Sequence, residues 1–156
     1  MSTLTAILFT ALLSMAPVSE LRGAIPFGLA HDIPPLALYL LCVVANTLPV
    51  PFIILFIRKI LTWMQHLGGR LQKAADWLIT RGLKKSMLYK KYETLGLFIL
   101  VAIPLPGTGA WTGALVAALL GLRMKFALPA IGGGVAAAGV IVLLVCQGVI
   151  HIAGLV

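Results

Sequence analysis

The sequence has few charged residues and very few acidic ones. Of its 156 residues only 4 are aspartate or glutamate, and 10% are charged in all, whereas a soluble domain carries about 25%. Hydrophobic residues make up 61% of the chain, and a soluble protein of this length could not bury so much apolar surface. This composition excludes most soluble enzymes and favours a protein embedded in a lipid bilayer.

Residues that ligate metals or form disulfides are also scarce. The two cysteines, Cys42 and Cys146, lie inside apolar runs, and the three histidines are too scattered for a metal site. No P-loop, catalytic-triad motif or zinc-binding motif is present in the sequence. We therefore predict a protein that is not an enzyme, carries no cofactor and binds no metal.

Basic residues are more numerous but are concentrated in one segment. The chain has 12 lysines and arginines and a net charge of +8, and most of them lie between Arg58 and Lys91. Because basic residues beside membrane helices stay in the cytoplasm, we predict that residues 58–93 are cytoplasmic and that the charge does not indicate a nucleic-acid ligand. Apolar residues recur there at intervals of three and four, which predicts an amphipathic interfacial helix, broken at Gly68 and Gly69.

Four apolar runs cover most of the remaining chain. The second and fourth, residues 36–57 and 126–150, are long enough to cross a bilayer, since about 20 helical residues span a hydrocarbon core of about 30 Å. The first and third, residues 4–30 and 94–122, are interrupted by prolines at Pro17 and Pro26 and at Pro104 and Pro106. Proline removes an amide donor and so interrupts a helix. Each of the two helical arms that the prolines leave in a run reaches only roughly 16 to 21 Å. We therefore predict two re-entrant helical hairpins that turn at these prolines.

A shift of 90 residues relates the two halves of the chain. It places Glu20–Ile25 on Ala110–Leu115, and the run 36–57 on 126–147. Because the basic segment fixes the cytoplasmic side, the first hairpin would open from outside and the second from the cytoplasm, which is an inverted-topology repeat. The predicted fold is an all-α polytopic membrane protein with both termini outside, in which the cytoplasmic helix joins a first repeat at 1–57 to a second at 94–156.

Polar residues near the predicted turns are the candidates for a functional site. Glu20 and Arg22 lie in a stretch with one other charge, Asp32, before residue 57, and ionisable residues at membrane depth are costly enough to mark functional sites. We predict that Glu20 carries a coupling proton or ion. We also predict that an amphiphilic substrate binds to Arg22, Asn46, Gly107, Thr108, Gly109 and Thr112.

Each of these candidates has a structural alternative. Glu20 and Arg22 can instead brace the hairpins as a buried structural pair. The glycine-rich turn can be a capped loop with no ligand, and Asn46 can belong to a helix kink that packs against a neighbour.

Two stretches of the sequence resemble a known family. Glu-Leu-Arg-Gly-Ala-Ile-Pro at residues 20–26 and Ile-Pro-Leu-Pro-Gly-Thr-Gly-Ala-Trp-Thr-Gly at residues 103–113 resemble the small multidrug export proteins of bacteria and archaea, and more distantly the DedA/VTT membrane proteins. The resemblance covers nearly the whole chain. It implies a re-entrant-hairpin transporter of the prokaryotic cytoplasmic membrane and, for DedA-like members, proton-dependent return of undecaprenyl phosphate. The chain departs from the DedA pattern at Thr108 and Gly109, where an acidic residue is missing.

Three functions stay open on these grounds. The favoured one is a flippase for a polyprenyl phosphate, in which Arg22 and the amides around Gly107–Gly109 hold the phosphate. The second is an exporter of lipophilic cations with Glu20 as the counter-charge, and the third is a membrane scaffold that transports nothing. The expected partners are membrane lipids and a second copy of the chain, since the glycines at 132–134 predict close helix packing and a candidate dimer face.

Overall fold

A computed structural model describes residues 2–66, 69–105 and 107–154, and nearly all of them are helical. The helices within these ranges are, in chain order, α1 (Thr3–Met15), α2 (Glu20–Leu29), α3 (Pro35–Thr47), α4 (Val50–His66), α5 (Gly69–Ala102), α6 (Ala110–Leu119) and α7 (Met124–Ala153). No strand occurs in the described part of the chain. The all-α prediction is confirmed.

Two helical stretches are long and apolar enough to cross a membrane. They are Pro35–His66, which comprises α3 and α4, and Met124–Ile152 in α7. Both contain the runs that the sequence predicts as spans. The first stretch is interrupted by a turn at residues 48–49, where Pro49 has no amide hydrogen to continue the helical hydrogen bonding.

Two pairs of shorter helical segments accompany these spans. In the first pair α1 packs against α2, and in the second the end of α5 packs against α6. The segments that join the partners, residues 16–19 and 103–109, contain Pro17 and Pro104 as predicted. Pro106 lies outside the described residues.

Pro26 does not mark a turn, and that prediction is wrong. It is the seventh residue of α2, and its side chain is exposed. A proline in this position removes one backbone bond to the preceding turn, and the helix continues for only one further turn before it ends at Leu29. The reversal of the chain takes place before Glu20.

The basic segment differs from the separate interfacial helix that the sequence predicts. Its first residues, Arg58–His66, continue α4, whereas α5 starts at Gly69 and runs without a break into the apolar arm that ends at Ala102. Hydropathy changes near residue 94, but backbone hydrogen bonding does not need to stop where polarity changes. The predicted break falls on Gly68 and Gly69, and of these two residues Gly68 lies outside the described ranges.

Helix α7 is central to the packing, since α2, α3, α5 and α6 all contact it. A Cβ atom on Gly134 would lie 2.7 Å from Val101 Cβ and 2.9 Å from the Phe98 carbonyl oxygen. Likewise, a Cβ atom on Gly113 would lie 2.6 Å from Val101 Cγ2. The close helix packing predicted for the glycines at 132–134 is confirmed at Gly134, and this contact is made within the chain.

Large apolar side chains cover the outside of the helices. Leu4 is 68% exposed, Phe52 67% and Leu144 62%, although residues of these types prefer burial in soluble proteins. Such broad apolar exposure marks a surface that another apolar phase covers. The outer surface of the protein therefore suits contact with lipid.

Candidate functional site

The two interrupted helix pairs meet at the centre of the molecule. Glu20 and Arg22 lie in the first turn of α2; Arg22 reaches the segment that joins α5 to α6, and Glu20 reaches the first turn of α6. The sequence predicts that a direct Glu20–Arg22 pair needs irregular backbone, because residues two apart on a helix point in different directions. In the structure each side chain instead binds backbone of the second pair.

The carboxylate of Glu20 lies at the N-terminus of α6. Its Oε1 accepts a hydrogen bond of 3.3 Å from the backbone amide of Trp111, and the side chain is 6% exposed. The first amides of a helix have no partner within it and carry partial positive charge, so a carboxylate is a favourable partner there. Glu20 also has a φ of 48°, a strained conformation of the kind found at functional sites.

Gly109 makes this approach feasible. A Cβ atom at this position would overlap Glu20 Oε2 and would lie 2.5 Å from Glu20 Cδ. Any side chain here would therefore push the carboxylate away from α6.

The guanidinium of Arg22 binds the segment that follows α5. It donates hydrogen bonds to the carbonyl oxygens of Leu105 and Ile103, the latter at 3.5 Å, and to Thr108 Oγ1 at 3.2 Å. Both carbonyls lie just beyond Ala102, the last residue of α5. Glu20 thus binds the start of α6 and Arg22 binds the segment before it, and together they connect the two halves of the protein.

Internal bonds give this connecting segment a defined shape. Thr108 Oγ1 lies 2.9 Å from the carbonyl oxygens of both Ile103 and Leu105, and Thr112 Oγ1 donates to the carbonyl of Gly107 at 2.8 Å. Gly107 has a φ of 81°, a left-handed conformation that favours glycine. The hydroxyls of Thr108 and Thr112 therefore stabilise the turn itself.

Asn46 lies behind the same contact, near the end of α3. Its side chain is fully buried, and neither Nδ2 nor Oδ1 makes a hydrogen bond to any described residue. It lines a small cavity together with Glu20, Arg22, Gly109 and Ala110. An unpaired buried amide is costly, about 1–3 kcal/mol, so this residue has unused bonding capacity at the centre of the site.

An open apolar groove of about 950 Å³ runs beside the site between α4 and α6. Trp111 and Thr112 form part of its wall, and Lys59 is the charged residue that lines it. A volume of this size accommodates a small amphiphile or part of a lipid chain. The other lining residues are mostly apolar and include Phe52, Phe56 and Leu115.

Most of the predicted site residues are brought together. Glu20, Arg22, Asn46 and Gly109 line one cavity. Gly107 and Thr108 belong to the adjoining turn, and Thr112 bonds to it from α6.

Two residues of the site have no role in the sequence-based prediction. Trp111 binds Glu20 through its amide and donates from Nε1 to the Met15 carbonyl at 3.0 Å. Lys59 lies far from the turns in sequence, and only the packing of α4 on α6 brings it to the groove. The tryptophan two residues after Gly109 in the turn motif was a usable signal for Trp111, whereas Lys59 had none.

The fold and the site together define a helical membrane protein in which two interrupted helix pairs enclose a central polar contact. A model of the family described as "putative small multi-drug export protein" matches residues 20–141, which is more than half of the chain. The chain therefore belongs to the small multidrug export protein family. No curated protein and no solved structure matches the chain.

Proposed function

We propose that the protein is a multi-pass transporter of the prokaryotic cytoplasmic membrane, built as an inverted-topology repeat of re-entrant hairpins. The helix packing supports this proposal because the contacts among α1, α2 and α3 have equivalents among α5, α6 and α7. Helix α1 packs on α2 and α3 as α5 packs on α6 and α7, and α2 packs on α7 as α6 packs on α4. Repeats of opposite orientation provide the two states of alternating access in many transporters.

The ends of α2 and α6 support the repeat in detail. The Ala30 amide bonds to the carbonyls of Pro26 and Gly28, and the Leu120 amide bonds to those of Val116 and Ala118. These bonds are related by the predicted shift of 90 residues.

The loops after these helices also match. Asp32 and Gly121 have φ angles of 57° and 65°, and the next helices begin at Pro35 and Met124. The sequence offset between equivalent residues of the two halves therefore changes from 90 to 89 in this loop, as expected if the loop of the second half is one residue shorter.

The proposed substrate is an amphiphile, with a polyprenyl phosphate as the favoured example. Its hydrocarbon chain would lie in the groove between α4 and α6, and its phosphate would interact with Lys59 and Arg22. The guanidinium of Arg22 has five N–H donors, and three of its N–H groups bond to the described residues of the turn. The other two make no hydrogen bond to a described residue, and in this proposal they bind a phosphate oxygen.

The observation that carries the proposal is the position of the Glu20 carboxylate. It covers the N-terminal amides of α6, and a helix N-terminus of this kind is also where a phosphate binds favourably. Carboxylate and phosphate therefore compete for one place. When Glu20 takes up a proton it loses its negative charge, and it then binds the α6 N-terminus less favourably than a phosphate does. Proton binding and substrate binding thereby become coupled.

Binding of a polyprenyl phosphate to the purified protein tests the anionic substrate. We expect Arg22→Ala to abolish binding and Lys73→Gln, which changes an exposed basic residue of α5, to leave it intact. The corresponding polyprenol, which lacks the phosphate, is expected to bind much more weakly. Unchanged binding in a folded Arg22→Ala protein would contradict the proposed role of Arg22.

A lipophilic cation is the second candidate substrate, and the buried carboxylate of Glu20 beside the groove wall at Trp111 favours it. This alternative predicts that Glu20→Gln abolishes efflux and resistance, whereas Arg22→Ala has a milder effect. The opposite order favours the phosphate. If neither substitution changes transport of either class at equal protein levels, a scaffold is the better description.

The orientation in the membrane has a separate test in cysteine accessibility. With Cys42 and Cys146 replaced, we expect labelling from outside at Ser2→Cys and from the cytoplasm at Arg123→Cys. External labelling at residue 123 would contradict the second re-entrant hairpin. Native mass spectrometry of the same proteins tests the proposed homodimer.

A further inference from the structure

Asn46 has more bonding capacity than its surroundings satisfy. It is the only asparagine in the sequence, it is fully buried, and neither of its amide atoms bonds to a described residue. Its Nδ2 offers two donors and its Oδ1 is an acceptor. A partner that satisfies both atoms at once must carry a donor and an acceptor side by side.

The cavity beside Asn46 limits what that partner can be. It is lined by residues of α2, α3, α5 and α7 and by the start of α6, and it has no room for a water molecule. Glu20 and Arg22 are the ionisable residues among those that line it; the α5 and α7 contributions are the apolar Val101, Val135 and Ala138. A side chain that already lines the cavity is therefore the available partner.

Protonation of Glu20 creates the required pair of groups. An ionised carboxylate has only acceptors, whereas a protonated carboxyl group has one O–H donor and one carbonyl acceptor. Such a group bonds to a primary amide through two parallel hydrogen bonds. The ionised form instead accepts a hydrogen bond from the Trp111 amide.

We propose that Asn46 is the partner of protonated Glu20, so that the carboxyl group has two positions, one at the N-terminus of α6 and one at the Asn46 amide. The proton stays on Glu20, whose O–H donates to Oδ1 of Asn46, while Nδ2 donates to the other carboxyl oxygen. This inference rests on the proposed coupling role of Glu20 and extends it. Asn46 is then a positioning residue for the proton-loaded state, and not a ligand of the substrate.

Infrared spectroscopy can observe Asn46 without any substitution. Protein labelled with ¹³C-asparagine and produced without asparagine in its tag has one labelled side-chain carbonyl. We expect its band to move to lower frequency as the pH falls, because Oδ1 gains a hydrogen bond. Glu20→Gln is expected to abolish this pH dependence, and Glu93→Gln, which removes a carboxylate outside the cavity, to preserve it.

A second variant keeps the test decisive. In Asn46→Leu we expect the carbonyl band of the protonated Glu20 carboxyl group, identified by its loss in Glu20→Gln, to lie at higher frequency than in the parent protein. A labelled asparagine band that does not respond to pH, or that responds equally in Glu20→Gln, would overturn the proposal. Neither measurement requires transport. If the band shifts but Glu20→Gln does not change transport, the proposed function is contradicted, whereas the pairing of Glu20 with Asn46 is supported.

Discussion

The substitution Gly109→Ala tests how closely Glu20 and α6 depend on each other. The added Cβ atom would overlap Oε2 and lie 2.5 Å from Cδ and 2.6 Å from Oε1 of Glu20, so the carboxylate must leave the Trp111 amide. A hydrogen bond to a charged group contributes about 1.5–3 kcal/mol. At about 2–4 °C per kcal/mol for a protein of this size, we expect the unfolding midpoint to fall by about 3–12 °C.

A double-mutant cycle with Glu20→Ala isolates this interaction from any backbone cost of alanine at residue 109, because that cost is common to both backgrounds. We expect a coupling free energy of about 1.5–3 kcal/mol, measured by thermal or denaturant unfolding in detergent. Gly148→Ala is the matched control, since a Cβ atom there meets nothing within 4 Å. Additive effects of Gly109→Ala and Glu20→Ala would refute the contact.

Three further substitutions test other contacts by the same unfolding measurement. Arg22→Lys is expected to destabilise by about 1 kcal/mol, because an ammonium group lacks the planar fork that binds several acceptors at once; an unchanged midpoint would contradict this. Trp111→Phe removes the indole bond to the first helix pair and is expected to cost about 1 kcal/mol. Gly134→Ala places a methyl group 2.7 Å from Val101 Cβ and is expected to cost about 1–3 kcal/mol, whereas Gly148→Ala is neutral or stabilising.

Hydropathy predicted the all-helical fold and the two candidate spans, for physical reasons. A helix that crosses lipid needs a long apolar run, so the runs at 36–57 and 126–150 could be identified directly, and both lie in candidate spans. Pro17 and Pro104 also lie where the helices stop. Pro26 misled the prediction because a proline in a short helix is tolerated when a single backbone bond is lost.

The partners of the site could not be predicted in the same way. Glu20 and Arg22 were identifiable because charge is rare in this sequence, but the acceptors of Arg22 and the donor to Glu20 are mainly backbone groups. Backbone groups occur at every residue and leave no signal in a sequence. The sequence also gives no sign that Asn46 lacks a partner among the described residues, since this depends on how α3 packs in three dimensions.

The contact between Glu20, Arg22 and the α5–α6 turn has a consequence for biosynthesis. Both charged residues belong to the start of the chain, and their partners at residues 103–111 are about 90 residues further on. At about 5–20 residues per second, the nascent first half waits roughly 5–18 s before those partners are made. During that interval Glu20 and Arg22 lack these partners, and ionisable side chains without hydrogen-bond partners are costly in lipid. We therefore expect stable insertion of the first half to depend on completion of the second.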